Sequence, residues 1–363
     1  MQNHKDITVV VAMSGGVDSS VAAALLVEQG YTVIGMMMRL WSEESFDDKQ
    51  HNRCCTPEQM NDAQMIAKRL GIPFYVLDTK ATFRNTVVQY FIDQHADGLT
   101  PNPCIECNRQ IRFSFLQQNA LALDADYLAT GHYARITQAD NGRYQLRMGV
   151  DPLKDQSYVL SVMGQEQLAH ALFPLGGYEK VEIRKIAHDI GLTVHDKKDS
   201  QDLCFLGDGD YRRFLRDHAP SLIQPGEIRL ASGESLGQHE GLVNYTIGQR
   251  RGIGVAHATP LYVIGKDAAQ NALIVGEESE LGQASLTAKR VNWVSGETPS
   301  APFEAQVKIR YKAKPVPGIV TPLDDGRIHI AFEGVLRDIT PGQGAILYQG
   351  DLCLGGGLIE ADQ

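Results

Sequence analysis

The stretch Ile7-Thr8-Val9-Val10-Val11-Ala12-Met13-Ser14-Gly15-Gly16-Val17-Asp18-Ser19 decides the fold class. Its first half, Ile7–Ala12, is an unbroken β-rich apolar run, the composition of a strand buried on both faces of a parallel sheet. A glycine turn follows and leads straight into a helix. That helix, Val17–Gln29, carries Val21, Ala24 and Leu25 on one face and meets Gly30 as its stop. The glycines permit positive φ and let an anion approach the backbone. The free N–H groups and the dipole at the helix N-terminus then hold that anion.

The same alternation continues outward. Tyr31–Met38 reads as a second strand, and Thr56 and Pro57 open a second helix that Gly71 closes. Phe74–Leu77 is a third strand, Asn108 caps a helix through Leu123, and Tyr127–Thr130 is a fourth strand. This βαβα order predicts a doubly wound parallel sheet. Residues 165–217 read as helices, with Val181–Ile190 the clearest. Beyond Pro225 the chain is glycine-rich, with short alternating runs at Leu261–Gly265, Ala272–Val275, Ala305–Ile309 and Arg327–Phe332, which predict β modules or small barrels. The expected domains are 1–208, an ATP-binding catalytic domain with a helical extension; 209–280, a small central β-rich domain; and 281–363, a C-terminal β-barrel.

Composition bounds the function. The 363 residues are 43% hydrophobic and 21% charged, an ordinary globular balance. No apolar run approaches the ~20 residues that span a bilayer, and the start Met1–Asp6 lacks the pattern of a secretory signal, so a cytoplasmic protein is expected. The cysteines Cys54, Cys55, Cys104, Cys107, Cys204 and Cys353 are then reduced thiols unless chemistry uses them. The net charge of −10 is no obstacle to nucleic acid, because the field of one face governs binding. Basic residues cluster at Lys308, Arg310, Lys312 and Lys314, at Arg250 and Arg251, at Lys197 and Lys198, and at Arg109 and Arg112.

Three motifs carry chemistry. Ser14–Ser19 has neither the Walker pattern nor the dinucleotide G-x-G-x-x-G spacing. Asp18 beside a pyrophosphate would repel it unless Mg²⁺ bridges the two, so the loop suits the β,γ-pyrophosphate of MgATP. It resembles the loop of the PP-loop ATP pyrophosphatases, which split ATP to AMP and pyrophosphate. The second motif is Thr100-Pro101-Asn102-Pro103-Cys104-Ile105-Glu106-Cys107-Asn108-Arg109. Cys107 is expected at a helix N-terminus with Arg109 and Arg112 nearby, both of which favour thiolate. Half a zinc site is the structural alternative, with Cys54-Cys55 to complete it. The third motif is Lys197-Lys198-Asp199-Ser200-Gln201-Asp202-Leu203-Cys204-Phe205-Leu206, a polar segment leading to one cysteine.

These motifs, together with Ala129–Tyr133, Lys154–Tyr158, Asn244–Gly252, Lys308–Tyr311, Thr340–Gln343 and Leu354–Gly357, resemble the bacterial tRNA-specific 2-thiouridylase family along essentially the whole chain. The resemblance implies that Ala12, Met13, Ser14, Gly15, Gly16, Val17, Asp18 and Ser19 bind ATP, with Met38 and Gly131 lining the adenosine pocket. It implies that Cys204 carries persulfide sulfur, that Cys107 is its catalytic partner, and that the two form a transient disulfide. Asn102, Pro103 and Cys104 would meet the target base. His132, Lys154, Asp155, Gln156, Arg310, Tyr311 and Gln343 would contact the tRNA. Some members carry Asp where this chain has Cys104, so an acid/base role there does not carry over.

The expected reaction adenylates the carbon-2 oxygen of the wobble uridine and replaces it with sulfur, giving 2-thiouridine, AMP and pyrophosphate. The implied partners are tRNA, a persulfide-bearing protein that donates sulfur, and a reductant, with no membrane. A second arrangement is an iron–sulfur cluster on Cys104, Cys107 and Cys204; the thiol pair alone is preferred. Two rival functions remain at this stage. One is a PP-loop enzyme adenylating a small carboxylate or amide, and the other is a nonenzymatic ATP- or RNA-binding module.

Overall fold

The structure, a computed structural model, describes residues 4–43, 56–192, 194–196 and 203–361. Cys54, Cys55 and the stretch from Lys197 to Asp202 lie outside the described residues. The strands β1 (Thr8–Ala12), β2 (Thr32–Arg39), β3 (Phe74–Asp78) and β4 (Tyr127–Ala129) are followed by a hairpin, β5 (Ala134–Gln138) and β6 (Tyr144–Met148), and by the short β7 (Ala171–Leu172). Five of them form a parallel sheet in the order β3-β2-β1-β4-β7. Val9, Val10 and Val11 of β1 are fully buried, as the apolar run predicts. Helices α1 (Val17–Glu28) and α2 (Pro57–Leu70) cover the sheet. In α2 the Thr56 hydroxyl accepts from Gln59 N and the Gln59 side chain accepts from Thr56 N, a reciprocal cap, and Gly71 ends the helix at φ 69°. The chain runs from β1 through β2 to β3 on one side and returns to β4 and β7 on the other. The crevice beyond the carboxyl ends of β1 and β4 is therefore the switch point where such sheets bind ligands.

The central unit is a four-stranded sheet of β8 (Gly226–Leu230), β9 (Ser235–His239), β10 (Tyr262–Asp267) and β11 (Ala272–Gly276), in the order β10-β11-β8-β9. The C-terminal strands are β12 (Gln283–Trp293), β13 (Phe303–Lys308), β14 (Val316–Pro322), β15 (Ile328–Leu336), β16 (Gly344–Gln349) and β17 (Leu352–Ile359). They close into a six-stranded barrel because β12 pairs with both β15 and β17. The expected fold class therefore stands. One addition was not legible: β17 also pairs with β6, through Leu352↔Arg147 and Cys353↔Leu146, so the β5–β6 hairpin extends the barrel wall.

Two helices differ from expectation. The helix expected to start at Asn108 starts at Pro103, with the Asn102 side chain accepting from Cys104 N at 3.1 Å and proline at the first position. Asn108 lies inside it and donates its side-chain N–H to Val159 O at 3.2 Å. The turns over Asn108–Leu116 widen to π-type, with Phe113 at φ −101° and ψ 20°. The second difference is a helical stretch built of Lys80–Phe83, Arg84–Val88 and Gln89–Ala96, which buries Phe83, Val87, Val88, Phe91 and Ile92.

Near the end of that stretch His95 is 5% exposed, stacks on Tyr211 with centroids 5.6 Å apart, and leaves Nδ1 without a hydrogen-bond partner. Burial, and then the nearby Lys266 ammonium, depress the His95 pKa to about 3. The folded state thus keeps this ring neutral, while the unfolded chain binds a proton below pH about 6.5. Stability contributed by His95 is present above that value and is lost as pH falls towards the folded pKa, at about 1.4 kcal/mol per pH unit. Unfolding free energy measured between pH 5 and 6.5 should lose one proton's worth of slope in His95→Gln; an unchanged slope would show that the imidazole is not held neutral.

Candidate active site

The phosphate loop is closed by its own hydroxyls. Ser14 N donates to Ser19 Oγ at 3.1 Å, and Ser20 Oγ donates to Gly16 O at 2.7 Å. Gly16 caps α1 without a side-chain hydrogen bond, which leaves the first helical N–H groups to a ligand. Gly15 sits at φ 69°, and a Cβ there would lie 2.3 Å from Gln59 O of α2. Gly131, just past β4, packs on the start of α1, and a Cβ there would lie 2.8 Å from Ser19 N. Two required glycines thus bring three elements together at the switch point. Met13 N donates to Met36 O, and Met38 lies at the carboxyl end of β2 on the same side.

Asp18 has a countercharge that sequence reasoning missed. Lys180 Nζ donates to both Asp18 oxygens, at 2.6 and 2.7 Å, and the Tyr133 hydroxyl donates to Oδ1 at 2.7 Å. Lys180 begins the helix Lys180–Asp189, its ammonium lies 5.6 Å from the Tyr133 ring centre, and its backbone N–H donates to Asp151. The available signal was Lys180 at the first position of the clearest helix of the 165–217 region. A cation and a carboxylate therefore share the mouth of the loop. Asp18 is a fitting single carboxylate for Mg²⁺, which usually takes one or two together with substrate phosphates. For an iron–sulfur cluster, no three His, Cys, Asp or Glu side chains are grouped to hold a metal ion among the described residues.

Because the helix begins at Pro103, Cys107 is its fifth residue rather than its N-terminal one. The dipole therefore does not act on Cys107 as expected. One of the two expected guanidinium groups is in contact: Arg112 Nη1 donates to Cys107 Sγ at 3.7 Å and to Asn108 Oδ1 at 3.2 Å. Arg109 has other ionisable neighbours, namely Arg290, Glu106 and Tyr90. Cys107 is a buried member of an apolar cluster with Phe83, Phe91, Phe205 and Phe214, and Cys204 and Met38 pack against that cluster. Neither thiol is in a disulfide. Close to Cys204, Gly207 N donates to Glu43, whose buried carboxylate also binds Arg213 Nη2 at 2.6 Å and His218 at 3.1 Å. Burial opposes ionisation of Glu43, yet the hydrogen bonds from Arg213 and Gly207 hold its pKa below the ordinary value. Cys353 is a core residue, 1% exposed, and burial pushes its thiol up to about 12.

The turn at Thr100 meets the barrel. Thr100 N donates to Pro341 O at 2.9 Å, and Gln343 Nε2 donates to Thr100 O at 2.7 Å. Tyr158 OH donates to Gly344 O, and its ring meets Tyr311 edge-on at 5.9 Å. Cys104 is exposed, and the Tyr311 hydroxyl, whose pKa is raised by burial and then by the Asp155 carboxylate, lies within electrostatic reach of it. Asn102, Pro103, Cys104, Tyr311 and Gln343 are therefore gathered at one seam. Other candidates are turned inward. Asp155 is 4% exposed and accepts from Gly149 N, Ser157 N and Ser157 Oγ. Gln156 accepts from Tyr133 N, and Lys154 is half-buried in the same turn. His132 is buried between Phe113 and Phe173, shares a 2.6 Å hydrogen bond with Thr130, and is held neutral by burial and then by Arg112. Arg310 bonds Thr340 and, at 3.4 Å, Ile247 O, linking barrel and central unit.

Comparison with known proteins agrees with this layout. Residues 7–208 match the family model described as tRNA methyl transferase HUP domain, 212–277 the tRNA methyl transferase PRC-barrel domain, and 283–359 the aminomethyltransferase beta-barrel domain. The chain is 50% identical over 351 residues to tRNA-specific 2-thiouridylase MnmA of Magnetococcus marinus, covering 97% of this chain and 98% of the relative. It is 46% identical over 363 residues to the protein of that name from Geotalea uraniireducens, covering 99% and 96%. For Roseiflexus castenholzii the identity is 47% over 370 residues, covering 98% and 99%.

The Asp18–Lys180 pair yields a direct test. A thermal-unfolding double-mutant cycle with Asp18→Asn and Lys180→Met, without nucleotide, should return a coupling of about 1 to 2 kcal/mol, kept modest because Asp18 is partly exposed. Additive effects would show that the pair is not formed in solution.

Proposed function

The chain belongs to the tRNA-specific 2-thiouridylase family, and from that premise we propose how its residues divide the reaction. It is a tRNA uridine sulfurtransferase that uses ATP. The carbonyl oxygen at carbon 2 of uracil is a poor leaving group. Its attack on the α-phosphate of ATP breaks the α–β bond, releases pyrophosphate and makes the oxygen part of AMP, a good leaving group. The observation that carries this reading is the uncapped α1 N-terminus with the Asp18–Lys180 pair at its mouth. Backbone N–H groups of Gly16 to Ser19 hold the β,γ-phosphates, and Lys180 offsets their charge. Met38 and Gly131 line the adenosine pocket. Mg²⁺, when bound, neutralises the pyrophosphate, and Asp18 is the residue that would hold it.

Sulfur comes from a persulfide on Cys204, loaded by a protein donor. Its terminal sulfur is delivered to carbon 2, and AMP leaves. Cys107 either cleaves the persulfide to release sulfide or assists its attack. In both routes Cys107 bonds the inner sulfur of Cys204, and an external reductant returns two electrons to reopen the disulfide. Placement of both thiols against one apolar cluster supports this pairing. The Thr100–Cys104 turn with Tyr311 and Gln343 receives the extruded wobble base and the adjoining backbone. Lys154 and Arg310 add contacts to the tRNA, while His132, Asp155 and Gln156 act by shaping the turns around them. Residues 1–208 perform the chemistry, and 281–363 grip the tRNA together with 209–280. A reducing cytoplasm fits cysteines that are not in disulfides, and among the described residues no helix is long and apolar enough to cross a membrane.

A panel of variants with ATP, unmodified tRNA and a persulfide donor separates the two halves. Ser14→Ala and Asp18→Ala should lose both pyrophosphate release and thiolation. Cys107→Ser and Cys204→Ser should give one burst of pyrophosphate and no thiolated nucleoside by mass, whereas Cys353→Ala should remain active. Sustained thiolation by Cys204→Ser would remove the persulfide from that residue, and ADP with phosphate as products would reject the loop assignment.

A further inference from the structure

Two residues after Cys107, the Arg109 guanidinium is largely enclosed, and its Nε is buried without a hydrogen-bond partner. Its surroundings are unbalanced in charge. Arg290 of β12 reaches across from the barrel and places Nη2 3.1 Å from each oxygen of Glu106. Glu106 is 5% exposed and takes a further hydrogen bond from Gln110 Nε2 at 3.0 Å. Arg290 also lies over the Tyr90 ring, 5.9 Å from its centre. Two guanidinium groups therefore face one carboxylate, and that carboxylate is engaged by Arg290. Burial, and then the charge of Arg290, both oppose the charged form of Arg109. An enclosed cation with surplus like charge beside it is costly unless an anion completes it. The barrel side is built deliberately. Arg290 holds φ 53°, a left-handed conformation rare for a side chain other than glycine, at the register shift of β12 against β17 between Lys289 and Asn292. Such strain is retained where it aims a functional group.

We propose that Arg109, supported by Arg290 and Tyr90, is a subsite for one phosphate group of the substrate RNA backbone, at the seam between the catalytic domain and the barrel. The subsite rests on the reading of tRNA as substrate and adds a position to it. A phosphate here takes the guanidinium face that Glu106 leaves unused and lies beside the turn bearing Cys104 and Cys107. It fixes the register of the strand from which the target base is extruded, without reading its sequence. Tyr90 stays protonated and can donate, since burial, and then Glu106, push its hydroxyl up to about 12.

The test measures tRNA binding against salt for wild type, Arg109→Gln and Arg109→Lys, with thermal unfolding of each. Losing one phosphate contact should lower the log–log salt slope by about 0.7 to 0.9 and weaken binding about five- to eightfold at 0.1 M salt. Arg109→Lys should keep the wild-type slope. Arg109→Gln should melt at or above the wild-type temperature, because the substitution removes an uncompensated charge. A wild-type slope in Arg109→Gln would overturn the subsite, and a lowered melting temperature with that slope would make Arg109 a packing residue. Inorganic phosphate that binds wild type saturably at millimolar concentration, is lost in Arg109→Gln and leaves the tRNA slope unmoved would assign a free-anion site and overturn the RNA assignment. Wild-type protein that fails to bind tRNA at all would instead reject the proposed function.

Discussion

The layout of the site depends on how the turn from Thr100 to Cys107 is held. Its first residue is tied to the barrel by Gln343 and Pro341, and its carboxylate, Glu106, is tied to the barrel by Arg290. Between those ties the chain starts a helix under the Asn102 cap. A buried carboxylate such as Glu106 is stable only with its partner, since removing one member of a buried pair leaves an uncompensated charge. The cysteine turn is therefore not an accessory of the nucleotide-binding sheet. It is clamped between sheet and barrel, and a barrel out of place would release it. Tyr158, bonded both ways to Gly344, and the β6–β17 pairing reinforce the same seam.

The clamp gives the reaction its geometry. One side of the crevice offers an uncapped helix N-terminus and a lysine, which suit a triphosphate. The other side offers an exposed cysteine with a tyrosine and a glutamine from the barrel, which suit a base and its backbone. The two halves meet at the carboxyl ends of β1 and β4, where Gly131 must lack a side chain for the start of α1 to approach. The methyl transferase wording of the family models and the 2-thiouridylase names of the full-length relatives differ. An ATP-using loop with two reduced cysteines on one apolar cluster sides with sulfur, since methyl transfer requires neither.

Much of this was legible before the fold. The run Ile7–Ala12 and the glycine turn fixed the parallel sheet, and Thr56-Pro57 with Gly71 fixed α2, because caps and glycine stops act locally. Asn102-Pro103 has the same cap signature as Thr56-Pro57. Asn108 carries a rival cap signature six residues later, and local pattern alone does not decide between the two. The β5–β6 hairpin is a local pairing around Asn141-Gly142, but its docking on β17 joins residues some 200 apart, and no local pattern reports that. Lys180 was missed for the same reason: its partner Asp18 is joined to it only by the tertiary fold. Inward placement of Asp155 and His132 was equally unreadable, since polar residue types in a loop suggest exposure until burial is known.

The central claim is that the carbon-2 oxygen leaves as part of AMP. It is tested most directly with tRNA carrying oxygen-18 at carbon 2 of the wobble uridine, incubated with the protein, ATP and a persulfide donor. The account predicts one labelled oxygen in the phosphate of AMP for each 2-thiouridine formed, with unlabelled pyrophosphate. Label recovered in inorganic phosphate or water, with AMP unlabelled, would contradict it.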